Sequence, residues 1–119
     1  MTAHELKQLN AIIKQCDKIS HYLIQSQASK DTFFKDEMVF DAIAICLIQI
    51  GESVNKLSVE FKNQHVSVNW HQIRGLRNRM THDYEGVSIQ MLWTIVSKNI
   101  PELRNAIHSL LLANSKTNI

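Results

Sequence analysis

Breakers are scarce in this sequence: its 119 residues include only three glycines and one proline. Folds built from many short strands need such residues at every turn, so the composition excludes them and predicts an all-α protein. Cysteine is also scarce. Cys16 and Cys46 stand in a chain whose start, MTAHELKQLN, lacks the basic beginning and apolar core of a signal peptide, so reduced buried thiols and a cytoplasmic location are expected. Charge of one sign is missing too, since 13 basic and 11 acidic residues leave a net +2. A nucleic-acid partner would therefore have to be held by a local patch. The longest apolar stretch, residues 38–50, is 13 residues long and is interrupted by Asp41 and Gln49. A bilayer-spanning helix needs roughly 20, so this stretch predicts a buried helix and no membrane partner.

With 45% hydrophobic residues the chain is too apolar for disorder, and its length suits one core better than two. One domain over residues 1–114 is expected, with residues 115–119 as a flexible tail. Leu6, Leu9, Ile12, Ile13, Cys16, Ile19, Tyr22 and Leu23 recur every three or four positions and mark the buried stripe of a first helix. After a polar break, Asp31 or Thr32 is the expected cap of a second helix running to about Leu57, with Asp36 and Glu37 in its first turn. Apolar nearly all round, that helix must be central or give part of its surface to a second copy.

A short helical piece follows Ser58, Asn69 is the expected cap of a third main helix beginning at Trp70, and Gly86 is placed to close it after Tyr84. Ser88 caps a last segment in which Pro101 either starts a new helix or kinks a long one. Four main helices with short links predict an antiparallel bundle of four to five helices.

Several chemistries have no residues to support them. The sequence has no glycine-rich phosphate loop, no cysteine pair at zinc spacing and no two histidines at the i, i+4 interval, so neither metal nor cofactor is expected. The informative run is WHQIRGLRNRMTHDYEG, residues 70–86, where Arg74, Arg77 and Arg79 with His71 and His82 precede the acidic Asp83 and Glu85. Arg77 and Tyr84 are seven residues apart and share a helix face. His82 is five after Arg77 and would point about 140° away on an ideal helix, so the two can cooperate only through a distorted helix end or across a two-fold axis. An arginine that holds a phosphate and a histidine that moves a proton to or from a ribose oxygen are the groups metal-free RNA cleavage requires. The same residues can also serve as ordinary helix-end decoration, where histidine suits the dipole and tyrosine packs with a wet tip. Trp70 and Trp93 are expected as core anchors, and His21, His65, His71 and His108 as surface or helix-end residues.

RNRMTHDY, residues 77–84, resembles the R-x4-H-x-Y motif of the HEPN superfamily, specifically the HepT-type toxins. QIGESVNKLS (residues 49–58), the W-x-x-I-x-G-L-R-N run at residues 70–78 and the Pro-containing segment at residues 93–103 resemble the same family in the same order. The resemblance implies a dimeric helical bundle in which the Arg-His motifs of two subunits face each other. It further implies a metal-independent ribonuclease with Arg77 and His82 catalytic, and Asn78 placed to bind the phosphate or else to cap a local backbone break. By their charge, Arg74 and Arg79 are expected as electrostatic RNA contacts or as solvated surface charges. Glu52 would stand behind Arg77 or His82, or else form a structural ion pair. The implied partner is an MntA-type nucleotidyltransferase antitoxin that neutralises the toxin by adenylylating Tyr84. Two other readings differ in class: a non-catalytic helical adaptor of a nucleotidyltransferase, and a plain RNA- or nucleotide-binding module.

Overall fold

Thr2 starts the first helix with a reciprocal cap: its hydroxyl accepts from the Glu5 amide at 3.1 Å while the Glu5 carboxylate accepts from the Thr2 amide at 2.8 Å. The computed structural model describes residues 1–32, 35–82 and 88–117, with the backbone alone for Arg79, Thr81, His82, Lys116 and Thr117. Helix α1 spans Ala3–Gln25 and buries Leu9, Ile12, Cys16 and Ile19, the stripe expected from their spacing. It ends where Gln27 takes the left-handed conformation, with φ of 53°. The Ala28 and Gln27 amides then reach back to the Leu23 and Ile24 carbonyls at 3.0 and 3.1 Å, which satisfies two helix-end acceptors.

Helix α2 spans Glu37–Asn55, and its cap is Asp36, whose carboxylate accepts from the Val39 amide at 3.3 Å. The expected caps, Asp31 and Thr32, precede the helix. The Thr32 hydroxyl is occupied in a turn, accepting from the Ser29 amide at 3.0 Å, and its carbonyl accepts from the Lys35 amide at 3.0 Å. A local turn thus consumes the groups that a cap would use.

Helix α3 spans Val59–Gln64 after its Ser58 cap, and α4 spans Trp70–His82 with the Asn69 side chain accepting from the Gln72 amide at 3.1 Å. Phe61 and Trp70 are buried with ring centroids 6.2 Å apart, and the Trp70 indole donates to the His65 carbonyl at 2.9 Å. Trp93 is half-buried against the same core. His21, His71 and His108 are exposed; His65 is half-buried, its ring centroid 4.4 Å from that of Phe61. Gly86 and Tyr84 lie outside the described residues.

The last hairpin arm is one continuous path. Helix α5, Ile89–Thr94, passes through a π-helical turn, Ile95–Asn99, into α6, Ile100–Thr117. In that turn the Ile100 amide bonds to the carbonyl five residues back, Ile95. Proline supplies no amide, and its ring crowds the carbonyl four residues earlier, here Ser97. One wide turn ahead of Pro101 absorbs the conflict, so the helix path is neither restarted nor broken. Helix α6 also continues through residues 115–117 of the segment expected to be a tail, while residues 118–119 lie outside the described set.

Helix directions follow from three contacts. His4, at the start of α1, bonds to the Lys56 carbonyl just after α2 at 2.9 Å, so these helices run antiparallel. The amino terminus donates to Asn114, near the end of α6, at 3.2 Å, and Arg104 Nε donates to Asp17 at 2.6 Å, so α1 and α6 are antiparallel as well. Packed against both α1 and α4, α2 is the central helix, which accounts for most of its apolar circumference. Met38 and Ile45 are the exceptions, 84% and 59% exposed on its outer face. No strand occurs among the described residues, and no helix there is long and apolar enough to cross a membrane. The fold is an all-α bundle.

Both cysteines lie in this core. Burial, with a smaller push from the neighbouring Asp17, raises the Cys16 thiol to about 12, and burial raises Cys46 as well. The folded chain should therefore resist an aromatic disulfide reagent at pH 8 and react at both thiols once unfolded. Because the folded-state value of Cys16 lies above its ordinary value, the associated stability is complete below about pH 9 and is lost as pH climbs towards about 12. Chemical denaturation across that window is the check. A thiol that reacts rapidly in the native protein would contradict the packing.

Candidate active site

Four residues from two helices form the polar centre of the site. Gly51 and Glu52 follow one another near the end of α2; Arg77 and Asn78 follow one another in α4. Gly51 is buried where the helices meet, and a methyl group built on it would overlap Cβ and Cγ of Arg77, with the Arg77 Cα at 3.5 Å. Only a residue without a side chain lets α4 settle so close that the Arg77 stem lies directly on the α2 backbone.

One residue further on, Glu52 receives the guanidinium. Arg77 Nε donates to Glu52 Oε1 at 2.8 Å, and Nη2 makes a close ion pair with the same oxygen. Arg77 Nη1 donates to Asn78 Oδ1 at 3.2 Å. The side chains of Arg77 and Glu52 are 24% and 37% exposed, so the pair is at the edge of the core. A planar guanidinium held along one edge has a defined orientation.

Arg74 is exposed on α4, one turn before Arg77. Arg79 and His82 belong to α4 by backbone, whereas Tyr84 lies outside the described residues. The structure thus brings together Arg77, Asn78 and Glu52, and joins them to Gly51 as their seat. A groove of about 610 Å³ runs along another side of α4, between Ile73 and Leu76 and the apolar residues Ile95, Ile100 and Leu103; neither Arg77 nor Glu52 lines it. No group of three or more His, Cys, Asp or Glu side chains suited to a metal ion occurs among the described residues.

The model of one family, described as "Ribonuclease HepT-like", matches residues 9–110, from within α1 to within α6, a span that includes Gly51, Glu52, Arg77 and Asn78. The chain belongs to the HepT-like ribonuclease family. A relative from Caldanaerobacter subterraneus subsp. tengcongensis, named as a "putative RNase", is 33% identical over 105 residues, covering 87% of this chain and 90% of its own. Another, from Thermococcus cleftensis and named "probable ribonuclease HepT", is 29% identical over 80 residues, covering 67% of this chain and 73% of its own. A third, from Methanocaldococcus jannaschii, joins "gamma-glutamylcyclotransferase" and "putative RNase" in its name and is 28% identical over 99 residues, 83% of this chain and 44% of that one. No solved structure matches the chain. Membership agrees with the resemblance carried by the HepT-type motif, and the Arg77 seat gives that motif a physical setting.

Proposed function

We propose that this HepT-like protein is a metal-independent endoribonuclease toxin whose active site pairs Arg77 with His82 across a homodimer cleft. The observation that carries the reading is the seat of Arg77: a cation held in one orientation at the solvent edge of the bundle, five residues before the motif histidine. Arg77 holds the scissile phosphate and balances the charge that builds on it. The ribose 2′-oxygen attacks phosphorus, its proton passes to a neutral His82, and the 5′-oxygen departs with a proton from a protonated His82. His82 returns to the leaving oxygen the proton it took from the ribose, and a two-fold axis brings this histidine to the Arg77 of the other subunit. Asn78, Arg74 and Arg79 add contacts to the RNA, Arg74 from an exposed position on the same helix.

The exposed apolar residues of α2 support a seam for the second copy on that helix. Met38, Ile45 and Glu52 recur at intervals of seven residues along one side of the helix, so the exposed apolar pair leads towards the Arg77 seat. A dimer closed over this side would cover Met38 and Ile45 and bring two Arg77 groups together. It also removes the angular conflict between Arg77 and His82, because the cooperating histidine comes from the other subunit.

Control of the toxin falls to Tyr84 and a cytoplasmic nucleotidyltransferase antitoxin of the MntA type. The tyrosine oxygen attacks the α-phosphorus of ATP, pyrophosphate leaves, and the AMP remains as an ester two residues from His82. Its phosphate competes for Arg77 and its bulk blocks the RNA path. Intact-mass measurement of the chain made alone and with that enzyme and ATP, followed by RNA cleavage with both samples, tests the whole scheme. One or more AMP units on Tyr84 with cleavage lost in that sample is the expected result. No added mass and no cleavage in either sample would contradict it and favour a non-catalytic adaptor.

A further inference from the structure

We propose that the outer face of α1 is a second RNA-contacting surface, on which Lys7, Lys14 and Lys18 hold phosphates of a single strand away from the scissile bond; the proposal rests on the ribonuclease reading above. Leu9, Ile12, Cys16 and Ile19 bury one side of α1. Lys7, Lys14, Lys18 and His21 recur at intervals of seven, four and three residues along the opposite side, and all four are exposed. Lys14 and Lys18 are one turn apart, and the stripe from Lys7 to His21 is about 21 Å long. The helix has two acidic residues, Glu5 and Asp17, and both are engaged elsewhere. The Glu5 carboxylate accepts from the Thr2 amide at 2.8 Å, and Asp17 accepts from Arg104 Nε at 2.6 Å. Neither carboxylate offsets the lysines, and neither ion pair described above draws on one.

An open hollow of about 500 Å³ on this helix points to the kind of partner. Lys14 and Lys18 line it together with Asn10, His21 and Tyr22, and the two rings have centroids 6.2 Å apart. Cations, an amide and aromatic rings in one place are the groups with which proteins hold an unpaired strand: charge for the phosphates, the amide for sugar or base edges, and ring faces for the bases. An acidic protein surface would use the lysines but give the rings nothing to do. Asp17 also borders the hollow, its charge offset by Arg104. The surface belongs to a different helix from the Arg77 seat, which α2 and α4 form. Contacts made there are the same in the bound complex and in the transition state, so they strengthen binding and leave the rate of the bound complex unchanged.

Three variants beside the parent test this. One carries Lys7→Gln, Lys14→Gln and Lys18→Gln together; a second carries arginine at the same positions; a third carries Lys30→Gln, Lys35→Gln and Lys98→Gln, which lowers net charge equally from exposed positions elsewhere. Binding of a labelled single-stranded RNA of about 16 nucleotides, its riboses 2′-O-methylated so that it cannot be cut, would be read across a salt series. Single-turnover cleavage of the unblocked strand at saturating protein would be read beside it, with melting temperatures confirming the fold. The α1 glutamine variant should bind about tenfold more weakly near ~0.15 M salt. Its slope of log affinity against log salt should be shallower by about 2, because each phosphate contact on a single strand contributes roughly 0.7. Its cleavage rate at saturation should equal the parent's, and the arginine and control variants should bind as the parent does.

Parent-like affinity and salt slope in the α1 glutamine variant would overturn the proposal while the ribonuclease reading stands, and would leave this face to solvent or to an acidic protein. An equal loss in the control variant would overturn it as well, since net charge and not this stripe would then govern binding. So would an equal loss in the arginine variant, which keeps the charge. A slower rate at saturation in place of weaker binding would contradict a role confined to affinity. If the parent binds RNA through these lysines and cuts none, the ribonuclease reading has failed and the RNA surface stands without it.

Discussion

Gly51→Ala is expected to damage stability and cleavage together. The new methyl group would occupy the space held by Cβ and Cγ of Arg77, and the Arg77 Cα, 3.5 Å away, leaves the backbone little room to yield. Either α4 shifts away from α2 or the arginine stem leaves its rotamer, and overpacking of this kind costs about 1–3 kcal/mol. A shift of even an ångström at a phosphate-holding group lowers rate by about 100-fold. Gly75→Ala is the matched control. It lies in the same helix with nothing within 4 Å of the added methyl and an ordinary backbone angle, so it should stabilise the protein by about 0.5–1 kcal/mol. Thermal melting of the two variants beside single-turnover cleavage gives the contrast. A Gly51→Ala protein as stable and as active as the parent would show that the close approach of α2 and α4 has no bearing on the site.

Subunit complementation is the second large effect. Arg77→Ala and His82→Ala homodimers should each lose at least ~100-fold in cleavage, because each removes one transition-state group from every site. Mixed after dissociation, they should regain activity. If a site takes its arginine from one subunit and its histidine from the other, a heterodimer has one intact site of two. Random reassortment makes half of the dimers heterodimers, so recovery should approach about a quarter of the parent's activity. A mixture as inactive as its components would place both groups of each site within one chain.

Legibility of the fold from sequence followed the range of the interactions involved. The stripe of α1 and the caps Ser58, Asn69 and Ser88 depend on neighbours within a few residues, and the spacing revealed them. The cap of α2 was misplaced because a hydroxyl at Thr32 has two local uses, and only the backbone path decides for the turn over the helix start. Pro101 announced a disturbance but not its form. Restart, kink and π turn all answer a missing amide, and the choice depends on how α5 and α6 pack around Val96, Ile100 and Leu103.

The site was legible in part for the same reason. The RNRMTHDY run pointed to Arg77, and family order pointed to Glu52. That Glu52 meets Arg77, and that Gly51 makes room for its stem, are contacts between residues 25 and 26 positions apart. The role of Gly51 emerges only when the arginine is seen above it.

The most direct test of the account is single-turnover cleavage of an end-labelled RNA by unmodified protein, parent beside Arg77→Ala, with a chelator present and the product ends analysed. The parent should cut and leave 2′,3′-cyclic phosphate ends, the mark of attack by the ribose oxygen, while folded Arg77→Ala should be slower by at least ~100-fold. Cleavage by Arg77→Ala at the parent's rate, or the absence of any cleavage by the unmodified parent, would contradict the assignment of Arg77 as the group that holds the scissile phosphate.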